Sequence, residues 1–260
     1  MSRPTPPERL WQRLKHAGVG TRAVIGELIR SGAVLVDGRP ASALTIVNGD
    51  SAITLDGEPI AAPSPPRTFL LNKPEGIDCC IEPREPDSIA RILQHLPPGL
   101  SPVGRLDKDS CGLLLLTHDG KLCHRLMHPD CGHEKEYAVT VDADPSAEQL
   151  ERLRSGAGYQ VGPHRYQPRP CEVVQTAPRR FRITLTQGMH RQIRYMCKAA
   201  GLRVVRLERI RLNRLLLGDL APGEARELTP AEVELLDRLP DSCHGSANLP
   251  LDRSETCVDS

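Results

Sequence analysis

Val103-Gly104-Arg105-Leu106-Asp107-Lys108-Asp109-Ser110-Cys111-Gly112-Leu113-Leu114-Leu115-Leu116-Thr117 is the most informative stretch of the chain. Its second half is a short continuous apolar run, Leu113 to Leu116, which suits a strand buried on both faces. Its first half places Asp107 and Asp109 among Arg105 and Lys108, with Gly104 and Gly112 at either end. The combination reads as a loop at the mouth of a sheet that presents a carboxylate beside cations. Such a carboxylate serves as a nucleophile or stabilises charge electrostatically. The same residue type also caps turns or pairs with an arginine such as Arg105, and local chemistry alone leaves both open.

The neighbouring segments alternate between periods. Arg67 to Asn72 reads as a strand ended by Pro74 and Gly76. Tyr137, Val139 and Val141 share one strand face, as do Phe181, Ile183 and Leu185. Met189 to Ala200 fits a helix with Ile193, Met196, Cys197 and Ala200 inward and Arg191, Arg194 and Lys198 on another face. Strands with interspersed helices and no regular βαβ alternation predict an α+β fold with a mixed, largely antiparallel sheet and flanking helices.

The chain has 260 residues, 39% hydrophobic and 26% charged, which fits a globular protein with a real core. No run of about 18 apolar residues predicts a membrane span, and Met1 to Pro7 lacks the apolar stretch of a signal peptide. Nine cysteines without Cys-x-x-Cys spacing read as free thiols in a reducing cytoplasm. Cys123, His124, His128, Cys131 and His133 cluster in sequence, but their spacing matches no standard zinc site, so no metal is expected. Aromatics are only 3%, which disfavours an RNA surface built on stacked rings. Lys plus Arg (34) nearly balances Asp plus Glu (33), which taken alone disfavours a nucleic-acid binder. The balance is uneven along the chain: residues 179–214 hold eleven basic residues against the single acid Glu208. That distribution predicts a basic groove on an acidic body, with local RNA contact and modest non-specific affinity.

Ahead of the strand at 67, Leu10, Leu14 and Ala17 form a helical stripe that Gly18 and Gly20 stop. Thr21 caps a second helix with Ile25, Leu28 and Ile29 inward, ended at Gly32. Short strands follow around the turn pairs Asp37-Gly38, Asn48-Gly49 and Asp56-Gly57. Residues 5–60 form this module, 61–67 a proline-rich linker, 68–240 the main domain and 241–260 a disordered acidic tail. Arg9-Leu10, Leu14, Gly18, Thr21-Arg22, Ile29, Gly32, Val34 to Gly38 and Asn48-Gly49-Asp50 resemble the S4 domain, a small RNA-binding module. Thr21-Arg22-Ala23-Val24 stands where that family would open its second helix with Ser-Arg-Arg-Glu.

Gly104-Arg105-Leu106-Asp107, with Ser110, Gly112, Leu113-Leu114 and Thr117, resembles the catalytic motif of the RsuA/RluB/RluE/RluF pseudouridine synthases. Leu71 to Gly76, His133 to Val139 and Gln187 to Met196 resemble further motifs of that family, in the same order, and His133-Glu134-Lys135-Glu136-Tyr137 leans toward the RluF type. The resemblance implies a pseudouridine synthase fold, conversion of uridine to pseudouridine in ribosomal RNA of the large subunit, and no cofactor. It implies Asp107 as the nucleophile or the agent of glycal formation, Tyr137 stacked on the flipped uracil, and Arg194 paired with Asp107. Arg105 would fill the gap left by the flipped base or contact phosphate. Arg22, Arg191, Lys198, Arg206 and Arg209 are candidate RNA contacts. The expected partner is RNA, with no membrane, and the expected state is a cytoplasmic monomer. The same chemistry on small-subunit RNA or transfer RNA, a non-catalytic ribosome-assembly protein, and a glycoside hydrolase built on Asp107 and Asp109 are the competing readings.

Overall fold

The computed structural model describes residues 7–61, 65–81, 86–128 and 131–237. The expected acidic tail and part of the expected linker lie outside these residues.

The N-terminal module comprises β1 (Glu8–Arg9), α1 (Leu10–His16), α2 (Arg22–Arg30), β2 (Val34–Val36), β3 (Arg39–Pro40), β4 (Ile46–Val47), β5 (Ile53–Leu55) and β6 (Glu58–Pro59). Thr21 caps α2, its side chain accepting from the Val24 amide. Gly32 follows the helix with φ +80, a conformation favoured by glycine. Leu10, Leu14, Ile25, Ile29, Val34, Val47 and Ile53 form the core of this module. Buried Arg13 ties it together through Glu8 (2.6 Å) and the Asn48 carbonyl (3.0 Å). The predicted helix, helix and short-strand order is therefore present.

The larger part comprises β7 (Thr68–Lys73), α3 (Ala90–Leu93), β8 (Ser101–Pro102), β9 (Cys111–Thr117), α4 (Gly120–Met127), β10 (Lys135–Val141), α5 (Ala147–Arg154), β11 (Tyr159–Val161), β12 (His164–Tyr166), β13 (Glu172–Ala177), β14 (Arg180–Leu185), α6 (Gln192–Ala199), β15 (Val204–Leu212), β16 (Leu215–Leu216), β17 (Ala225–Glu227) and α7 (Pro230–Asp237). The main sheet runs in the order β13-β14-β10-β15-β9-β7-β17, with β16 on β15 and β8 on β9. The β15–β9 pair is parallel and its neighbours in the sheet are antiparallel, so the α+β expectation holds.

Strand β9 is buried along its whole length, as the leucine run predicts. Leu113 and Leu115 face one core with Leu122 and Leu126 of α4, while Leu114 and Leu116 face another with Phe69 and Leu71. A third core packs α5 and α6 onto β10, β14 and β15 through Val139, Val141, Ile183, Leu207, Leu153 and Met196. Tyr137 packs against both the second and the third of these, and a cavity opens at this seam. The modules touch at His16, whose Nε2 lies 2.8 Å from the His118 carbonyl oxygen, and at Gly99, where a Cβ would collide with the Lys15 carbonyl.

Candidate active site

A cavity of about 960 Å³ lies along the end of the sheet and is lined by the loop 103–108, Ser110, Lys135, Tyr137, Gln187 to Ile193 and Arg209. The loop is shaped by three devices. Gly104 adopts φ +73, a turn conformation that other residues resist. The Ser110 amide donates to the Asp107 carbonyl (3.0 Å), closing a turn over Asp107 to Ser110. Buried Cys79 receives the Leu106 amide at 3.4 Å and donates its thiol to the Leu106 carbonyl at 3.3 Å, clamping the loop from below.

Gly112 then solves a packing problem. It lies beside Arg209 in the parallel β9–β15 pair, with φ +99, and a Cβ there would run into the Arg209 carbonyl. The close approach of β15 delivers Arg209 to the cavity.

The turn separates the two aspartates. Asp107 lines the cavity, and its carboxylate makes no hydrogen bond or ion pair among the described residues. Asp109 turns to α6 instead. Arg191 grips it with two hydrogen bonds of 3.0 and 2.6 Å, and Arg194 Nε lies 3.2 Å from its Oδ2. Arg194 also donates to the Asp109 carbonyl at 2.6 Å. Hydrogen bonding from Arg191 holds the Asp109 carboxyl below the ordinary carboxylate range, against the opposing effect of burial. The expected Arg194–Asp107 pair is thus corrected: Arg194 and Arg191 both bind the neighbouring Asp109, and Asp107 acts on Arg191 only by charge attraction without a hydrogen bond. Arg191 itself adopts φ +51, an uncommon conformation for a side-chain-bearing residue. It starts α6 at Gln192, three residues later than the sequence pattern predicts.

The other predicted contacts divide. Arg105 is exposed at the cavity rim, and Lys198 is exposed on α6 outside the cavity lining. Arg22 lies over the Trp11 ring at 4.7 Å, on the N-terminal module. Arg206 is ion-paired with Glu208 (3.1 Å). Arg209 is only 4% exposed and donates to the Leu113 carbonyl at 2.7 Å, so it is a cavity-floor cation and not the surface contact expected. The predicted basic groove is similarly reduced. Arg182, Arg191, Arg194, Arg203, Arg206 and Arg211 each pair with a carboxylate, the acids lying on or next to β10, in the turn and on β15.

Sequence reasoning missed Lys135, Ser110 and Gln187. Lys135 lines the cavity two residues before Tyr137, and the period-2 pattern that placed Tyr137 could have found it. Burial, with repulsion from Arg209, pulls its ammonium down to about 8. Ser110 Oγ and Gln187 Nε2 are buried atoms without hydrogen-bond partners and both residues line the cavity, which suits a ligand rich in acceptors. His133, at one end of the histidine and cysteine cluster, acts structurally: its Nε2 lies 3.0 Å from the Arg125 carbonyl and its Nδ1 2.8 Å from Asn213. Among the described residues no group of three or more His, Cys, Asp or Glu is arranged to hold a metal ion, and no helix is long and apolar enough to cross a membrane.

Comparison with known proteins agrees with this geometry. Residues 67–199 match the family described as RNA pseudouridylate synthase. Ribosomal large subunit pseudouridine synthase B of Bacillus subtilis (strain 168) is 35% identical over 244 residues, covering 92% of this chain and 98% of that protein. The dual-specificity RNA pseudouridine synthase RluF of Escherichia coli (strain K12) is 36% identical over 232 residues, covering 88% of this chain and 78% of that protein. A crystal structure of a pseudouridylate synthase superimposes with a TM-score of 0.62 at 28% identity, covering 88% of this chain and 99% of the other. With an unpaired aspartate in the resembling motif, a tyrosine lining the same cavity and this breadth of similarity, the chain belongs to the RNA pseudouridylate synthase family, in the branch of RsuA, RluB and RluF, and is an isomerase acting on RNA.

Proposed function

We propose that the protein converts a specific uridine to pseudouridine in large-subunit ribosomal RNA, in the cytoplasm and as a monomer. The observation that carries the reading is the unpartnered Asp107 carboxylate in a cavity it shares with Tyr137. The large-subunit assignment is supported by the similarity to the Bacillus relative, a ribosomal large subunit pseudouridine synthase. Cleavage of the C1′–N1 bond sends its electron pair into the uracil ring. Asp107 then either bonds C1′ or takes the C2′ proton to leave a glycal. The freed uracil turns within the cavity, and C5 bonds C1′ as the Asp107–C1′ bond breaks or, from the glycal, as Asp107 returns the proton to C2′; the proton lost from C5 balances the one gained by N1. No oxidant or reductant is needed. Tyr137 stacks on the flipped base and is placed to take the C5 proton. Arg191 and Arg194 act indirectly, by holding the loop through Asp109. Arg105 occupies the gap left by the base. Residues 8–60 act as an S4-type RNA-binding module, with Arg22 and Lys198 among the phosphate contacts.

Mapping pseudouridine in ribosomal RNA from cells with and without this gene, and from cells carrying only Asp107→Ala, tests the reading. One large-subunit site should vanish without the gene and stay unmodified with Asp107→Ala, whose rate falls by on the order of 10⁴-fold or more while RNA binding persists. A missing site in small-subunit or transfer RNA would correct the substrate, and full modification by Asp107→Ala would overturn the catalytic role.

A further inference from the structure

We propose that Lys135, with Arg209 beside it, is the group that holds the uracil anion once it has left the ribose. The proposal rests on the isomerase assignment and concerns a residue that the Asp107 chemistry leaves without a part.

The placement comes from the sheet. Lys135 and Tyr137 are two residues apart on β10 and line the cavity together. Arg209 lies directly across from Tyr137 on β15, so it joins the same face. The other charged or titratable groups lining the cavity are Asp107, Asp78, Arg105 and Lys108 on one side, and His128, His190 and Arg191 at its margins.

Burial and charge pairing together single these two cations out: Lys108 at the cavity pairs with Asp87, and Arg105 is exposed to solvent. Arg191, Arg194, Arg206 and Arg211 all have carboxylate partners. Lys135 donates only to the His133 carbonyl (3.2 Å) and Arg209 only to the Leu113 carbonyl (2.7 Å), with no carboxylate on either among the described residues. Two desolvated cations side by side are costly, and apolar residues of similar volume would stabilise such a position better. Their cavity is also the place where the reaction releases an anion. The electron pair of the broken C1′–N1 bond spreads over N1, O2 and O4 of uracil, whether Asp107 bonds C1′ or removes the C2′ proton. A preorganised cation at that point lowers the barrier because the charge is present only after the bond has begun to break. The same anion must be held while the ring turns. Unpartnered Ser110 Oγ and Gln187 Nε2 supply further donors to its carbonyls.

The test uses the full chain and ribosomal RNA from cells lacking the gene, with Lys135→Met and Lys135→Arg. Lys135→Met is expected to lower kcat by about a hundredfold or more with RNA binding unchanged, and to melt no lower than wild type. Lys135→Arg is expected to keep much of kcat. Because the ammonium titrates near 8, wild-type kcat/KM should fall as pH rises through that value, and Lys135→Arg, which stays charged, should lose that limb. Unchanged kcat in Lys135→Met, or a defect confined to KM, would mean a phosphate contact and overturn the proposal. If Lys135→Met does not fold, the Lys135→Arg profile decides alone, and an unmoved limb overturns it. Failure of the wild type to modify the RNA would instead count against the substrate assignment.

Discussion

Asp107 and Asp109 differ by two positions and have opposite surroundings. One is open to the cavity and the other is held by two arginines. Asp109 therefore reads as a positioning residue: it fixes the loop against α6 and stabilises the left-handed backbone of Arg191. Asp109→Asn should lower kcat by about ten- to a hundredfold through misplacement of Asp107, with little change in melting temperature, since the pair is partly exposed to solvent. Asp109→Glu should recover part of the rate, and steady-state kinetics beside thermal melting checks both. Asp109 was visible in the sequence as a charged neighbour of Asp107, but which arginine met which aspartate was not, because a turn decides side-chain direction and both carboxylates had the same composition around them.

Among the elements, β9 and α7 show how local rules fix larger features. Gly112→Ala in β9 would place a methyl against the Arg209 carbonyl at a φ that alanine resists. It should cost about 3 kcal/mol or more and reduce activity, since the same contact sets the height of Arg209. Gly104→Ala, with open space around it, should cost only the strain of its φ, about 1 kcal/mol, and thermal melting ranks the two. Helix α7 starts with Thr229 before Pro230, and Glu232 accepts from the Thr229 amide at 2.9 Å while Thr229 Oγ1 receives the Glu232 amide at 3.3 Å. Arg226 adds two hydrogen bonds to the same carboxylate, and together they draw Glu232 down to about 2. A depressed carboxylate stabilises the fold above its unfolded value and loses that contribution as pH falls toward 2. Glu232→Gln should therefore lower stability by about 1 kcal/mol at neutral pH and show no difference from wild type at the acid end, as denaturation at several pH values will reveal. Helix α7 opens on Thr229-Pro230-Ala231-Glu232, a start signal that sequence reasoning passed over, and only the fold brings its partner Arg226 near.

At the scale of the molecule, charge is the property most changed by folding. Eleven basic residues between 179 and 214 look like a phosphate groove in one dimension. In three dimensions, acids on or next to β10, on β15 and in the Asp107 turn meet six of them, and Arg209 is buried. Non-specific binding to single-stranded RNA should thus depend only shallowly on salt, with a log–log slope of about −2 to −3, the value for three or four phosphates neutralised. A titration series by fluorescence anisotropy checks this, and a slope near −7 would show that the paired arginines open toward RNA.

By itself the sequence determined the buried strand β9, the α+β alternation and the helix pair of the N-terminal module, and it proposed Asp107 and Tyr137 as site residues, both of which line the cavity. These depend on periodicity and on short motifs, whose information lies within a few residues of chain. Only the tertiary structure decided that Arg194 serves Asp109, that Arg209 is a buried cation at the cavity, and that Lys135 lines the cavity without a carboxylate in contact among the described residues. Ion pairing and desolvation depend on which strands lie side by side. The β10–β15 and β15–β9 contacts join residues roughly 60 to 100 positions apart, beyond the reach of any local pattern.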